Sequence, residues 1–305
     1  MTSETEKNIT VFSYRAGKHR LKSIRRMLFF IAAAQTAVTA AAAFISSFIS
    51  FEPPVYLQML VIELLAYLLP ISMYAKENRL LSGSAARKRF GLRGCAVWQL
   101  VVAVIIGYGC QFAMVLLDLP ITLAISADGG YIPHSAAELA AAIVTVAVIP
   151  AVFEEFLLRG IVYGVMAEFN TTAAAVFTTI MFALLHGNLS GIPGYLLLGI
   201  VLIFVLCRTG SLYACMLLHM ANNVTAVLLS YFSSVLIDIP SATIKLFVTG
   251  IIVGLAAVCA LAFSTKPAAR IKRLKASELL GQSFINLPII LCIAMIVGLL
   301  YLQIY

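Results

Sequence analysis

The chain has 305 residues, 62% of them hydrophobic and 11% charged, with a formal net charge of +8. Soluble domains carry about 25% charged residues, so this composition predicts a polytopic membrane protein. No stretch is polar and long enough to form a separate soluble domain.

In chain order, a basic cytoplasmic tail over residues 1–26 precedes a single transmembrane domain over 27–305. The expected fold class is all-α, a polytopic helix bundle. At ~20 apolar residues per crossing, the apolar runs give about nine spans: 27–50, 55–75, 95–118, 136–158, 171–188, 192–207, 211–231, 243–263 and 284–304. The first, Met27 to Ser50, is about twice the length of a signal-peptide core and lacks a convincing cleavage site, so it is expected to stay. The sixth is short and follows a Gly/Pro-rich stretch, Gly187–Gly194, which could enter the membrane only if protein covers its backbone.

Charge placement sets the orientation. Seven basic residues precede the first span: Lys7, Arg15, Lys18, Arg20, Lys22, Arg25 and Arg26. Six separate spans two and three (Lys76, Arg79, Arg87, Lys88, Arg89, Arg93), and five separate spans eight and nine (Lys266, Arg270, Lys272, Arg273, Lys275). Arg208 ends span six, and Arg159 faces the same half of the membrane. With the N-terminus inside, 20 of 21 basic residues are cytoplasmic and only Lys245 is not. The outer loops carry Glu52, Asp118, Asp128 and Asp238, and the C-terminus is expected outside. Topology and attraction to anionic lipid explain the basic segments, so no nucleic-acid partner is expected.

None of the six cysteines forms a CxxC pair, so neither a disulfide framework nor a thiolate metal site is expected. Gly160, Gly164 and Ala167 suit close helix packing.

Glu154 and Glu155 lie within the fourth span, where each charge costs roughly 2.5–3.5 kcal/mol. Arg159 stands four residues after Glu155, the spacing of an ion pair on one helix face. Glu154 then points about 100° away. Of the four histidines, His19 and His134 are expected in solvent, whereas His186 and His219 fall in spans five and seven. Asn223 shares a helix face with His219. Counted from the Glu168–Asn170 turn, Glu154 and His186 each lie 16 residues from Asn170. Both are therefore ~24 Å along their helices and level with one another. His219 and Asn223 come out ~15–20 Å deep from their own turn, so all four can converge.

A carboxylate can act as general base on water, histidine can move a proton, and an amide can stabilise an oxyanion. The set suits hydrolysis of an acyl bond. There is neither a GxSxG elbow nor an HExxH motif. Glu154, His186 and His219 would also suffice as ligands for a divalent metal such as zinc, and the residues do not choose between the two mechanisms.

Glu154-Glu155-x-x-x-Arg159, Phe182-x-x-x-His186 and His219-x-x-x-Asn223 resemble the three signature motifs of the CPBP family. These are CAAX-type proteases and bacteriocin-processing enzymes, also called Abi-domain proteins. The resemblance covers about residues 95–230. It implies an intramembrane endopeptidase in which Glu154 activates water with help from His186. His219 and Asn223 form the oxyanion site, while Glu155 and Arg159 shape and charge the pocket. Phe182 is expected to serve packing. Substrates would be peptides or membrane proteins, at a bacterial plasma membrane. A proton-coupled small-solute transporter using Glu154 and His186 as a relay, or a non-catalytic immunity or partner protein retaining the fold, are the competing readings.

Overall fold

The computed structural model describes residues 3–48, 54–77, 90–124, 132–233, 240–269, 271 and 273–301. Among them every element is helical. The chain runs α1 (Ser3–Phe48), α2 (Val55–Ile62), a π-helical stretch π1 (Glu63–Leu68), α3 (Leu69–Glu77) and α4 (Val97–Ala124). Then come α5 (Ala136–Ala142), π2 (Ile143–Val148), α6 (Ile149–Glu155), π3 (Phe156–Tyr163) and α7 (Gly164–Met166). The remainder is α8 (Thr171–Leu185), α9 (Ile192–Thr209), α10 (Leu212–Tyr231), α11 (Pro240–Ser264), α12 (Ala276–Phe284) and α13 (Leu287–Tyr301).

Six helical stretches among the described residues are long and apolar enough to cross a membrane: Tyr56–Glu77, Val97–Ala124, Ala136–Met166, Ile192–Thr209, Leu212–Tyr231 and Pro240–Ser264. The pair Ala276–Phe284 and Leu287–Gly298, bent by 68°, makes a seventh if it is one broken span. Their outward faces are apolar, with Val101, Ile200, Ile252 and Phe263 exposed. This is a multi-pass membrane protein.

Three of the nine expected spans are not among these six: the first, 27–50, falls within the longer helix α1 (Ser3–Phe48), and two others take a different form. The ninth is the bent pair rather than a straight crossing. The fifth is α8, whose 15 residues reach ~22 Å, short of a hydrocarbon core of about 30 Å. The α8–α9 turn, residues 186–191, is therefore reached in less than one full crossing. Several of its polar groups are paired within the protein. Gly187 N–H donates to Leu184 O at 3.0 Å, and Asn188 Oδ1 accepts from Ser190 N–H at 3.1 Å. Gly194 N–H donates to Asp118 Oδ1 at 2.7 Å. Asp118, expected in an outer loop, is thus corrected to an intrahelical position, because α4 continues to Ala124.

α4 is the spine, packed against α9, α10 and α11. It comes this close through glycine: a Cβ on Gly107 would overlap the Leu218 carbonyl of α10, and one on Gly109 would lie 2.5 Å from Gly254 Cα of α11. The bond of α1 to the rest begins before the apolar run, since Leu21 and Ile24 are buried and α1 is continuous from Ser3.

Four of the described arginines tie helix ends together. Arg20 pairs with Glu168 and Arg26 with Glu77, each at 2.6 Å. Arg93 donates to Gly210 O at 2.8 Å, and Arg208 to Thr265 O at 2.6 Å. Arg79, Arg87, Lys88, Arg89, Arg270, Lys272, Glu52, Asp128 and Asp238 lie outside the described residues. His19 and His134 are exposed.

Candidate active site

The site forms where α6 lies between two π-helical stretches. Wide π turns are common at functional sites, and here they bracket the acidic pair: π2 ends at Val148 and π3 begins at Phe156. Pro150 has no N–H to donate to the carbonyl four residues back. That carbonyl, Val146 O, instead meets Asn223 Nδ2 of α10 at 3.5 Å.

Glu155 is fully buried, and its Oε1 accepts from Arg159 Nη1 at 2.8 Å and faces His219 Nδ1 at 2.9 Å. An ionised carboxylate only accepts, so His219 donates through Nδ1 and presents Nε2 to the site. The Arg159 guanidinium carbon sits 4.3 Å above the Phe182 ring centre. Such a desolvated cation–π contact contributes roughly 2 kcal/mol. The Phe182 ring also lies edge-on to His186 and His219, with centroids 4.6 and 5.4 Å away. Phe182 is therefore packing, as expected, but packing against three residues of the site at once.

Glu154 faces the other way, towards the tip of α8. His186 caps that helix, and the left-handed φ of +58° at Gly187 turns the chain away immediately after it. His186 Nδ1 lies 2.7 Å from Phe182 O. A carbonyl cannot donate, so Nδ1 carries the proton, and in the neutral ring Nε2 offers a lone pair. Nε2 stands 3.7 Å from Glu154 Oε2, too far for a direct hydrogen bond. Glu154 Oε2 has no donor at all. The His186 ring stacks on Tyr195 of α9, centroids 3.9 Å apart and planes 27° from parallel.

All six residues singled out by sequence, Glu154, Glu155, Arg159, His186, His219 and Asn223, belong to this one locality. They divide into two linked sets, Glu155–Arg159–His219 and Glu154–His186, with Asn223 beside π2. His219 is drawn to Glu155 rather than to Glu154. Among the described residues no group of three His, Cys, Asp or Glu side chains is placed to hold a metal ion. Glu154, His186 and His219 thus do not assemble as a ligand set.

Several contributors escaped the sequence reading. Asn222 is buried and donates to Asn223 Oδ1 at 3.4 Å. Glu63, at the start of π1, is 4% exposed, its Oε2 lacks a donor, and it interacts electrostatically with Glu154. Tyr67, one turn on, does the same. Gln35 of α1 donates to Tyr67 Oη at 3.0 Å and to Leu185 O at 3.3 Å. Glu63 is a charge inside an apolar run, the same signal that singled out Glu154. Tyr195 and Gln35 carry no comparable signal.

Residues 136–225 match the family model described as type II CAAX prenyl endopeptidase Rce1-like. The matched segment contains all three motifs and bears out the CPBP resemblance. Neither a curated protein nor a solved structure matches the chain.

Proposed function

We propose that this protein is an intramembrane endopeptidase in which Glu154 is the base. The observation that carries the reading is the 3.7 Å approach of His186 Nε2 to a donorless Glu154 oxygen. A water seated between them donates one hydrogen to each acceptor, which turns its oxygen lone pairs towards an incoming peptide carbonyl. Glu154 takes a proton as the water oxygen bonds to the carbonyl carbon. That proton passes to the amide nitrogen as the C–N bond breaks, leaving a carboxylic acid and an amine; the acid then gives its remaining proton to the amine, so carboxylate and ammonium leave. Positioned general-base catalysis of this kind contributes about 10²–10⁴-fold.

The oxyanion is received by Asn223 Nδ2, and by His219 Nε2 in the ring form that carries a proton on both nitrogens. The 3.5 Å contact of Asn223 Nδ2 to Val146 O is long, so this donor exchanges partners easily. Glu155 and Arg159 hold His219 and fix the local charge. The substrate is a peptide or protein segment presented from the membrane. The family match favours a segment near a lipid-modified C-terminus, because the matched family is described by CAAX prenyl substrates. The N-terminus is cytoplasmic and the membrane is a bacterial plasma membrane.

Comparative peptidomics of cells carrying wild type, Glu154→Gln or His186→Gln tests this. Cleavage products present only in wild type are expected, with processing reduced at least ~10²-fold in each variant. Unchanged processing in both, at equal protein level, overturns the reading.

A further inference from the structure

We propose that Tyr195 is a positioning residue of this site: its ring fixes the plane of the His186 imidazole, and with it the direction in which Nε2 faces Glu154. His186 caps α8, and the chain turns away at Gly187, so no later turn of its own helix packs against the ring. The ring is tied at one atom, Nδ1, which lies 2.7 Å from Phe182 O. The second side-chain torsion of histidine is broad, and a hydrogen bond tolerates a bend of about 30°. This bond alone therefore leaves the plane loose, and the in-plane lone pair of Nε2 turns with it. Tyr195 supplies the missing constraint. Its ring lies face to face with the imidazole, centroids 3.9 Å apart and planes 27° from parallel. Phe182 meets the imidazole from a second direction, edge-on, at 4.6 Å and 67°. An imidazole bounded by a face and by an edge cannot tilt without losing contact with one of them.

Tyr195 is itself held. It stands in the first turn of α9, where its N–H donates to Gly191 O at 2.9 Å. The far edge of its ring lies on the Gly191 backbone: a Cβ there would stand 2.5 Å from Cε2, 3.0 Å from Cζ and 3.2 Å from Oη. Carbon atoms pack at roughly 3.5–4 Å, so a larger residue at 191 displaces the ring. Gly194 N–H, one residue before Tyr195, donates to Asp118 Oδ1 at 2.7 Å and ties this turn to α4. The aromatic contacts continue beyond the histidine. Phe182 also meets Tyr195 edge-on, at 6.4 Å and 85°, and carries the Arg159 guanidinium 4.3 Å above its ring centre. Arg159, Phe182, His186 and Tyr195 thus form one packed series, and the seating of α9 on α4 is felt at the nitrogen that faces Glu154. The stack uses the ring and not the hydroxyl, so phenylalanine serves at 195 and an aliphatic side chain does not.

The role of Tyr195 rests on His186 as the residue that seats the water, but its first readout needs no substrate. The full chain, carrying isotope-labelled histidine, is placed in lipid nanodiscs, and the ring signals of His186 are assigned by their loss in His186→Gln. In wild type a single tautomer with the proton on Nδ1 is expected, with a high order parameter for the ring C–H bonds. In Tyr195→Leu the second tautomer is expected to appear and the order parameter to fall. Processing of the peptides that depend on Glu154 is expected to fall at least about tenfold. Tyr195→Phe is expected to restore both readouts. Gly191→Ala deletes no atom of the site but displaces the ring, so it should change both as Tyr195→Leu does, and it decides alone if Tyr195→Leu does not fold. An unchanged tautomer and order parameter in Tyr195→Leu overturn the positioning, even where the melting temperature drops, since that is the signature of a purely structural ring. A Tyr195→Phe variant as defective as Tyr195→Leu overturns it too, because the hydroxyl and not the stack would then matter. Unmoved ring signals with processing lost in His186→Gln reject only the positioning. Altered ring signals with processing intact in His186→Gln reject only the protease.

Discussion

Glu155 sits in complete burial and gathers a guanidinium at 2.8 Å and an imidazole at 2.9 Å on one oxygen. Glu154, one residue earlier, has a histidine at 3.7 Å and an oxygen with no donor. The first half of the site is closed around Glu155 Oε1, where both partners meet, while Glu155 Oε2 and Arg159 Nε and Nη2 are buried without a hydrogen-bond partner. The second half is open and keeps its acceptors uncommitted. The closed cluster fixes geometry and field and leaves over only the second ring nitrogen of His219, whereas an uncommitted acceptor can take a proton from a water. Adjacent identical residues thus acquire different work from the neighbours that face them.

The contrast can be broken most directly at Arg159. Arg159→Ala leaves Glu155 buried without its cation, and breaking a buried pair in this way costs about 3–5 kcal/mol. Thermal melting in detergent should show that loss, and Glu155→Gln in the same chain should recover part of it. Glu154→Gln is expected to melt within about 0.5 kcal/mol of wild type, since no partner is orphaned. Equal destabilisation by the two changes would mean that the halves do not differ.

The open half is sharpened at Asn223. Asn223→Ala removes a proposed oxyanion donor and should lower kcat about 10²–10³-fold. Its contact with Val146 O is long, so melting should change little. A fall in KM affinity with kcat preserved would assign Asn223 to binding instead.

The closed half and the motif residues of the open half were legible in the sequence for identifiable reasons. Glu155 and Arg159 obey a local helix rule, and the 2.8 Å ion pair follows it. The levelling of Glu154 with His186 came from counting residues to a shared turn, and the 3.7 Å approach agrees. The count did not foresee that π2 and π3 interrupt that helix, because a π turn depends on packing and on Pro150 rather than on hydropathy. His219 was legible as a site residue but not as the partner of Glu155, since depth alone does not say which carboxylate a ring will face. Glu63 had the right signal, yet no motif around it directed attention there. Tyr195, Gln35 and Asp118 are ordinary residues until α8 stops short of the membrane's far side. That shortness was also hidden, because the expected span, 171–188, runs past the helix end at Leu185.

Asp118 gives the smallest effect and the finest test of how the open half is held. α9 begins at Ile192, and its first N–H groups have no partner within the helix. Asp118 reaches across from α4 and accepts from Gly194 N–H at 2.7 Å. It places a negative charge at the positive end of the helix, which contributes about 0.3–1 kcal/mol at exposed sites and up to ~2 where partly buried. A Cβ on Gly194 would collide with that carboxylate, so glycine and aspartate fit as a pair. The next residue, Tyr195, stacks on His186 at 3.9 Å. Asp118→Asn keeps an acceptor oxygen but removes the charge, so stability should fall by about 1 kcal/mol. Cleavage should fall only a few-fold, because the tilt of α9 reaches His186 through a single stacked ring. Gly194→Ala should lose more of both. If Asp118→Asn leaves the rate unchanged while stability drops, the Tyr195 stack does not orient His186, and the histidine is held by Phe182 O alone.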